Sequence, residues 1–230
     1  MGEAQDQIPG WTTPPESHPS VPTPKFTFTF DPSLEEFSVP METYLSTHPQ
    51  YDAIATGCLV FWSPSSSPSV PRLLIQKRSA HDSMPGRWEI PGGGCDCEDE
   101  TILHGAAREL WEESGVVAAR VVGKVGGEHV FFSRRGMRIC KVNFEVEVGR
   151  AAGEEEGPPV VRLDANEHEE YLWVSEEEAR AGRKGGVEVR FTTREQEEVI
   201  WEAFSRKKAE MGMMVDGTTD AVVKEALSES

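Results

Sequence analysis

Apolar positions along this chain switch between two periods. Ala53 to Trp62 is an almost unbroken apolar run, short enough for a buried strand. Arg72 to Arg78 (RLLIQKR) reads as a second strand. The segment between them, Ser63 to Pro71 (SPSSSPSVP), is a loop by composition. Together they predict a hairpin with a long, mobile tip. Arg87 to Ile90 is a short strand ended by Pro91, and Gly92-Gly93-Gly94 then argues against regular structure. From Thr101 to Ser114 the period becomes helical, with Ile102, Leu103, Ala106, Ala107 and Leu110 on one face. Thr101 suits the N-cap or first turn and Gly115 the stop. Val116 to Val125 is β-rich, and His129–Ser133 and Met137–Val148 read as strands around an Arg134-Arg135-Gly136 turn. After a Gly/Glu/Pro loop, Gly149 to Pro159, comes a strand at Tyr171 to Val174. Ser175 and Glu178 then form a capping box. A last amphipathic helix begins at Thr192 or Thr193 and buries Val199, Ile200, Ala203 and Phe204.

The ends lack this patterning. Residues 1–24 hold six prolines and almost no aliphatic residues, so a disordered tail is expected. Residues 25–50 form an N-terminal extension: Lys25–Phe30 alternates Thr with Phe, as an edge strand or a docking segment, and Leu34–Phe37 suits one helical turn at most. The compact domain spans 51–208, and 209–230 reads as a C-terminal tail. With 230 residues, one domain with extensions fits better than two domains. The net charge of −17 repels nucleic-acid polymers. It does not exclude a small anion, because a bound divalent metal reverses the local field. Four scattered cysteines point to a reducing cytoplasm. No apolar run is long enough to span a membrane, and the first residues do not resemble a secretory signal.

The chemistry concentrates in Gly94 to Val116, GCDCEDETILHGAARELWEESGV. Glu109, Glu112 and Glu113 stand at i, i+3 and i+4 and share one helical face. Like charges that close repel, whereas hard divalent cations seek clustered carboxylate oxygens. The glycines before the helix let backbone approach an anion, and either the Gly93 or the Gly94 carbonyl could face a metal. Arg108 is the nearest cation able to hold Glu109 through a bidentate contact. Glu100 lies at the helix start, where the helix dipole favours a negative charge. Taken singly, a glutamate pair is a solvated face and a glycine run a turn; it is the combined spacing that argues for a site.

That spacing resembles the Nudix box, G-x5-E-x7-R-E-U-x-E-E-x-G-U with U aliphatic. Gly94, Glu100, Arg108, Glu109, Leu110, Glu112, Glu113, Gly115 and Val116 fill every specified position. Trp88-Glu89-Ile90-Pro91-Gly92-Gly93 resembles the family's lead-in. The resemblance implies an α/β fold: a Nudix-type α/β/α sandwich with a mixed curved sheet and a loop–helix–loop catalytic motif. It implies Mg²⁺, or Mn²⁺ in its place, as cofactor. Glu112 and Glu113 become the main metal ligands, and Glu109 a ligand or the base that activates water. Arg108 orients Glu109, and Glu100 is secondary. The implied reaction is attack of water at phosphorus on a diphosphate linkage, in a nucleoside triphosphate or a nucleoside diphosphate joined to another group. The partner is thus a small phosphorylated metabolite rather than a nucleic-acid polymer or a membrane. The rival is a catalytically silent binding or regulatory module of the same fold, which usually loses box glutamates or the arginine. The short motifs that mark the family's ADP-ribose, NADH and coenzyme A subclasses do not select a substrate here.

Outside the box, Glu167, ahead of Glu169 and Glu170, is the first choice for a further metal ligand, with a solvated acidic loop as the rival. Arg78 and Arg87 flank the box and are candidates for phosphate. Trp88 and Phe131 are candidates for stacking on a base, although aromatics in strands are more often core. Cys95-x-Cys97 lacks a second pair and reads as two loop thiols. His104, His129 and His168 carry no signal of their own.

Overall fold

The computed structural model describes residues 24–65, 67, 70–149 and 157–228, and of 213–228 the backbone alone. The expected tail, apart from Pro24, lies outside the described residues, as do parts of the 63–71 and 149–159 loops. In chain order the elements are β1 (Thr29–Phe30), α1 (Met41–Thr47), β2 (Ala53–Leu59), β3 (Phe61–Trp62), β4 (Arg72–Arg78), β5 (Trp88–Glu89) and α2 (Ile102–Ser114). They continue as β6 (Ala118–Phe132), β7 (Arg138–Val148), β8 (His168–Ser175), α3 (Glu176–Arg180), β9 (Arg183–Lys184), β10 (Val187–Glu188) and α4 (Arg194–Ser228).

Two sheets make the central layer. In one the order is β1-β6-β7-β2, with β1 parallel to β6, β2 parallel to β7, and β6 antiparallel to β7. In the other, β4 pairs with β3 and β5 along one edge and with β8 along the other, all antiparallel. The apolar run of β2 and the Leu73–Ile75 stretch of β4 lack a polar face because both faces are covered. Ile54, Cys58 and Leu74 pack with Leu103, Ala106, Ala107 and Leu110 of α2. Leu59, Leu73 and Ile75 pack on the other side with Val199, Ile200, Ala203 and Phe204 of α4. Alternate residues of one strand thus feed two cores, and the molecule is a three-layer α/β/α sandwich with mixed sheets, as the resemblance implies.

Helix ends follow the sequence. Thr101 caps α2 by accepting from the His104 N–H, and Gly115 ends it at φ 68°, the left-handed region. The Ser175/Glu178 capping box is present, and the Thr193 hydroxyl accepts from Gln196 N at the head of α4. No helix among the described residues is long and apolar enough to cross a membrane.

Four expectations need revision. The hairpin with β4 is made by β3 alone; β2 belongs to the other sheet, because the chain changes sheets at Val60. The separate strands expected at 116–125 and 129–133 are one strand, β6, whose register shifts at three places absorb the glycines. The glycine segment forms no strand of its own, as expected, and Gly92 takes φ 142°, but its backbone is paired. Cys58 N donates to Pro91 O at 2.7 Å, Thr56 N to Gly93 O at 2.8 Å and Cys95 N to Ile54 O at 2.9 Å, so Pro91–Cys95 lies antiparallel along β2 and bridges the two sheets. Finally, residues 25–50 do not stand outside the core. A 3₁₀ turn at Pro32–Phe37, capped by Asp31, buries Leu34 and Phe37, and α1 buries Tyr44. The Thr/Phe segment is both an edge strand, β1, and a docking segment: Phe26 meets Trp111 and Phe28 meets His104. Helix α4 also continues past Lys208.

Candidate active site

The polar face of α2 points to the glycine segment, and Arg108 is its hub. Arg108 Nε and Nη2 grip Asp99 with two bonds of 2.9 Å. Nη1 donates to Glu109 Oε1 and to Glu112 Oε2, each at 2.9 Å, and Nη2 to the Gly94 carbonyl at 2.8 Å. The bidentate partner expected in Glu109 is therefore Asp99, and Glu109 receives a single bond. Burial works against the Arg108 charge, but Asp99, Glu109 and Glu112 hold it firmly protonated. Glu100 turns to solvent, 79% exposed, and reaches only His104. His104 meets Thr101 at 2.8 Å and the Phe28 ring at 4.9 Å.

Glu113 is buried, 6% exposed. Its Oε2 accepts from Gly92 N at 2.7 Å, and its main-chain oxygen accepts from the buried Gln76 amide at 2.9 Å, which ties the end of α2 to β4. A Cβ on Gly93 would stand 2.5 Å from Glu109 Oε2, so the carboxylate occupies space that only glycine leaves. The Gly93 and Gly94 carbonyls already accept from Thr56 N and Arg108 respectively. Across the gap, the loop before β8 brings in Glu167. One ligand atom each of Glu113, Glu167 and His168 all lie within 4.8 Å of one another.

These carboxyls resist ionisation. Burial pushes Glu109 up to about 7, with Glu112 and Glu167 adding to the effect against the pull of Arg108. Burial, with Glu89 and Glu109 beside it, pushes Glu113 well up, and burial with Asp164 raises Glu167. Crowded oxygens short of positive charge are the donor set a hard divalent cation takes. The residues present therefore fit the metal the box implies.

Glu89 contrasts with them. Burial would raise it, yet His168 and Arg78 hold it below the ordinary carboxylate range. His168 Nε2 is 3.1 Å from Glu89 Oε1, and Arg78 pairs with both Glu89 and Asp82.

A cavity of about 440 Å³ opens beside the cluster. Its lining includes Glu89 and Gly92–Gly94, His129 and Phe131 of β6, and Thr192, Thr193 and Gln196 around the head of α4. Gly93, Gly94 and Phe131 are among the residues lining the cavity. Arg78 also lines it, but its guanidinium is clamped by two carboxylates, so it braces the wall and is not free to grip phosphate. Arg87 is exposed and outside the lining. Trp88 is fully buried with its indole N–H donating to Glu188 O, so no face is left for a base. Lys141, which the sequence reading passed over, is a cation in the wall. Asp99, Glu89 and His168 were missed too. Asp99 was hidden by its neighbour Glu100, which fills the box position; Glu89 and His168 were hidden by the register of β4, β5 and β8, which no local spacing reveals.

The family model for the NUDIX domain matches residues 53–194. Nothing among curated proteins matches the chain. Among solved structures, the MutT protein from Methanosarcina mazei Go1 is similar at 26% identity and TM-score 0.45, over 67% of this chain and 94% of that one. A MutT NUDIX hydrolase from Burkholderia pseudomallei is similar at 16% identity and TM-score 0.46, over 65% and 96%. The NUDIX domain of Shewanella oneidensis NrtR, complexed with ADP ribose, is similar at 17% and 0.49, over 72% and 97%.

Proposed function

The chain belongs to the Nudix family, and on that premise we propose that it is a metal-dependent hydrolase. It cleaves the diphosphate linkage of a nucleoside triphosphate, or of a nucleoside diphosphate joined to another group, by attack of water at phosphorus. The observation that carries this reading is the carboxyl cluster behind the glycine segment: Glu113 buried against Gly92 N, Glu109 half-buried against Gly93 and bonded to Arg108, and half-buried Glu167 within 4.8 Å of Glu113. A helix built for stability alone gains nothing from that arrangement.

Glu112, Glu113 and Glu167 would hold Mg²⁺ or Mn²⁺, with Glu109 as a further ligand or as base. The ion, when bound, lowers the pKa of water and neutralises charge on the diphosphate oxygens. Glu109, pushed up to about 7, suits a base that accepts the proton of the attacking water near neutral pH. Arg108 keeps Glu109 and Glu112 in fixed rotamers, and Asp99 keeps Arg108 in place. One P–O bond forms to the water oxygen and the bridging P–O bond breaks, its electrons leaving with the second phosphate product. Lys141 and the Gly92–Gly94 backbone line the side on which a phosphate chain would lie, and Phe131 offers a ring to a nucleobase.

The test is a hydrolysis screen with Mg²⁺ across nucleoside triphosphates, dinucleoside polyphosphates, ADP-ribose, NADH, coenzyme A and diphosphoinositol phosphates. Turnover of at least one nucleotide diphosphate is expected. Tight binding of one without cleavage would favour the silent-module reading instead.

A further inference from the structure

His168 takes no part in the roles above, yet the fold buries it at 2% exposure at the centre of the site. Its two ring nitrogens differ. Nε2 meets Glu89 Oε1 at 3.1 Å, while Nδ1 is fully enclosed and has no hydrogen-bond partner. A buried polar atom without a partner costs stability and calls for an explanation. A ring nitrogen of this histidine lies within 4.8 Å of carboxylate oxygens of both Glu113 and Glu167.

We propose that His168 supplies an imidazole nitrogen, Nδ1, to the metal held by Glu113 and Glu167, with Glu89 as the carboxylate that fixes its tautomer. The proposal rests on the metal-dependent reading above. The Arg78 guanidinium is paired with the same Glu89 oxygen that faces His168 Nε2. An ionised Glu89 accepts the Nε2 proton and leaves the lone pair on Nδ1. A metal-bound histidine commonly donates its other N–H to a carboxylate in this way. Arg78, clamped to Glu89 and Asp82, anchors the chain Arg78–Glu89–His168 to the scaffold. The consequence concerns selectivity. Mg²⁺ takes oxygen ligands almost alone, whereas first-row transition ions also accept imidazole nitrogen, Mn²⁺ the most weakly of them. A mixed nitrogen–oxygen site should therefore hold Mn²⁺ in preference to Mg²⁺.

The experiment is pulsed electron paramagnetic resonance of Mn²⁺ bound to the full chain, with histidine at natural abundance and then labelled with ¹⁵N. A directly coordinated ¹⁴N signal that becomes a ¹⁵N signal on labelling, and that disappears in His168→Gln, is the expected result. Thermal melting checks that His168→Gln is folded. In the folded variant Mn²⁺ affinity should fall by at least about 10-fold, since losing even an outer-shell partner of a ligand costs about 10- to 100-fold, and Mg²⁺ affinity by less. Bound Mn²⁺ with no nitrogen coupling overturns the proposal while leaving metal-dependent hydrolysis intact, and so does a signal that survives in His168→Gln. If the variant does not fold, the labelling result on the unaltered chain decides. Absence of any Mn²⁺ binding overturns both readings.

Discussion

Replacing Glu113 with glutamine separates charge from shape. The side chain keeps its size, and the amide oxygen can still accept from Gly92 N, so the fold should stand. Removing the ionisable group lifts the repulsion from Glu89 and Glu109, and metal-free Glu113→Gln should melt at or above the unaltered protein. Turnover should fall by about a thousandfold, on the basis that losing a metal ligand raises the barrier by roughly 4 kcal/mol at ~1.4 kcal/mol per tenfold. Glu177→Gln, an exposed glutamate of α3, is the control and should change neither property. A Glu113→Gln protein that fails only because it unfolds would make the cluster structural. The glutamates themselves were legible in the sequence because one helix carries them, and helical spacing is local. Their supports were not: Asp99 reaches Arg108 across a turn from Asp96 to Asp99, and His168 meets Glu89 because β4 and β8 pair with a register shift at Lys77/Arg78.

At the scale of elements, the first 50 residues divide at about residue 24. The 3₁₀ turn and α1 look weak in the sequence, since each is only six or seven residues long, with two apolar side chains in the first and three in the second. Leu34 and Phe37, three residues apart, eclipse on one side of a 3₁₀ turn, and both are 1% exposed. Phe37 stacks on Tyr44 at 5.7 Å and meets Phe144 of β7 edge-on at 5.3 Å. Phe37→Ala should therefore cost about 3–5 kcal/mol of stability by denaturant unfolding. Removing residues 1–50 should lower the melting temperature strongly, whereas removing 1–24 should leave both melting and turnover unchanged. A 1–50 deletion that melts like the full chain would contradict the packing described here. The strongly periodic helices α2 and α4 were readable to within a turn at their starts. The sheet change at Val60 was not, because a strand buried on both faces shows the same apolar run whichever sheet it joins.

For the whole molecule, the carboxyls make stability depend on pH in two directions. Glu109 has its folded pKa raised to about 7, and Glu113 and Glu167 are raised as well, so the folded metal-free protein keeps protons that the unfolded chain loses above about 4.5. Stability must then fall as pH climbs from about 4.5 through 7. Glu89 acts oppositely: its folded pKa is depressed, and its contribution, present above the unfolded value, is lost as pH drops below it. Melting temperature in EDTA should peak near pH 5 and decline toward pH 8. A bound divalent ion needs the ionised carboxylates, so added Mg²⁺ should raise the melting temperature most at pH 8. A metal-free melting temperature that rises steadily from pH 5 to 8 would mean that the cluster is not buried as described.

The most direct test of the central claim is product release from the best substrate of the screen, followed in one assay with Mg²⁺, with excess EDTA, and with Mg²⁺ restored. Turnover that stops in EDTA, returns with the metal, and stays about a thousandfold lower in folded Glu113→Gln with Mg²⁺ is the result expected of a Nudix-box hydrolase. Full turnover in excess EDTA, or a Glu113→Gln protein as active as the unaltered chain, would contradict it.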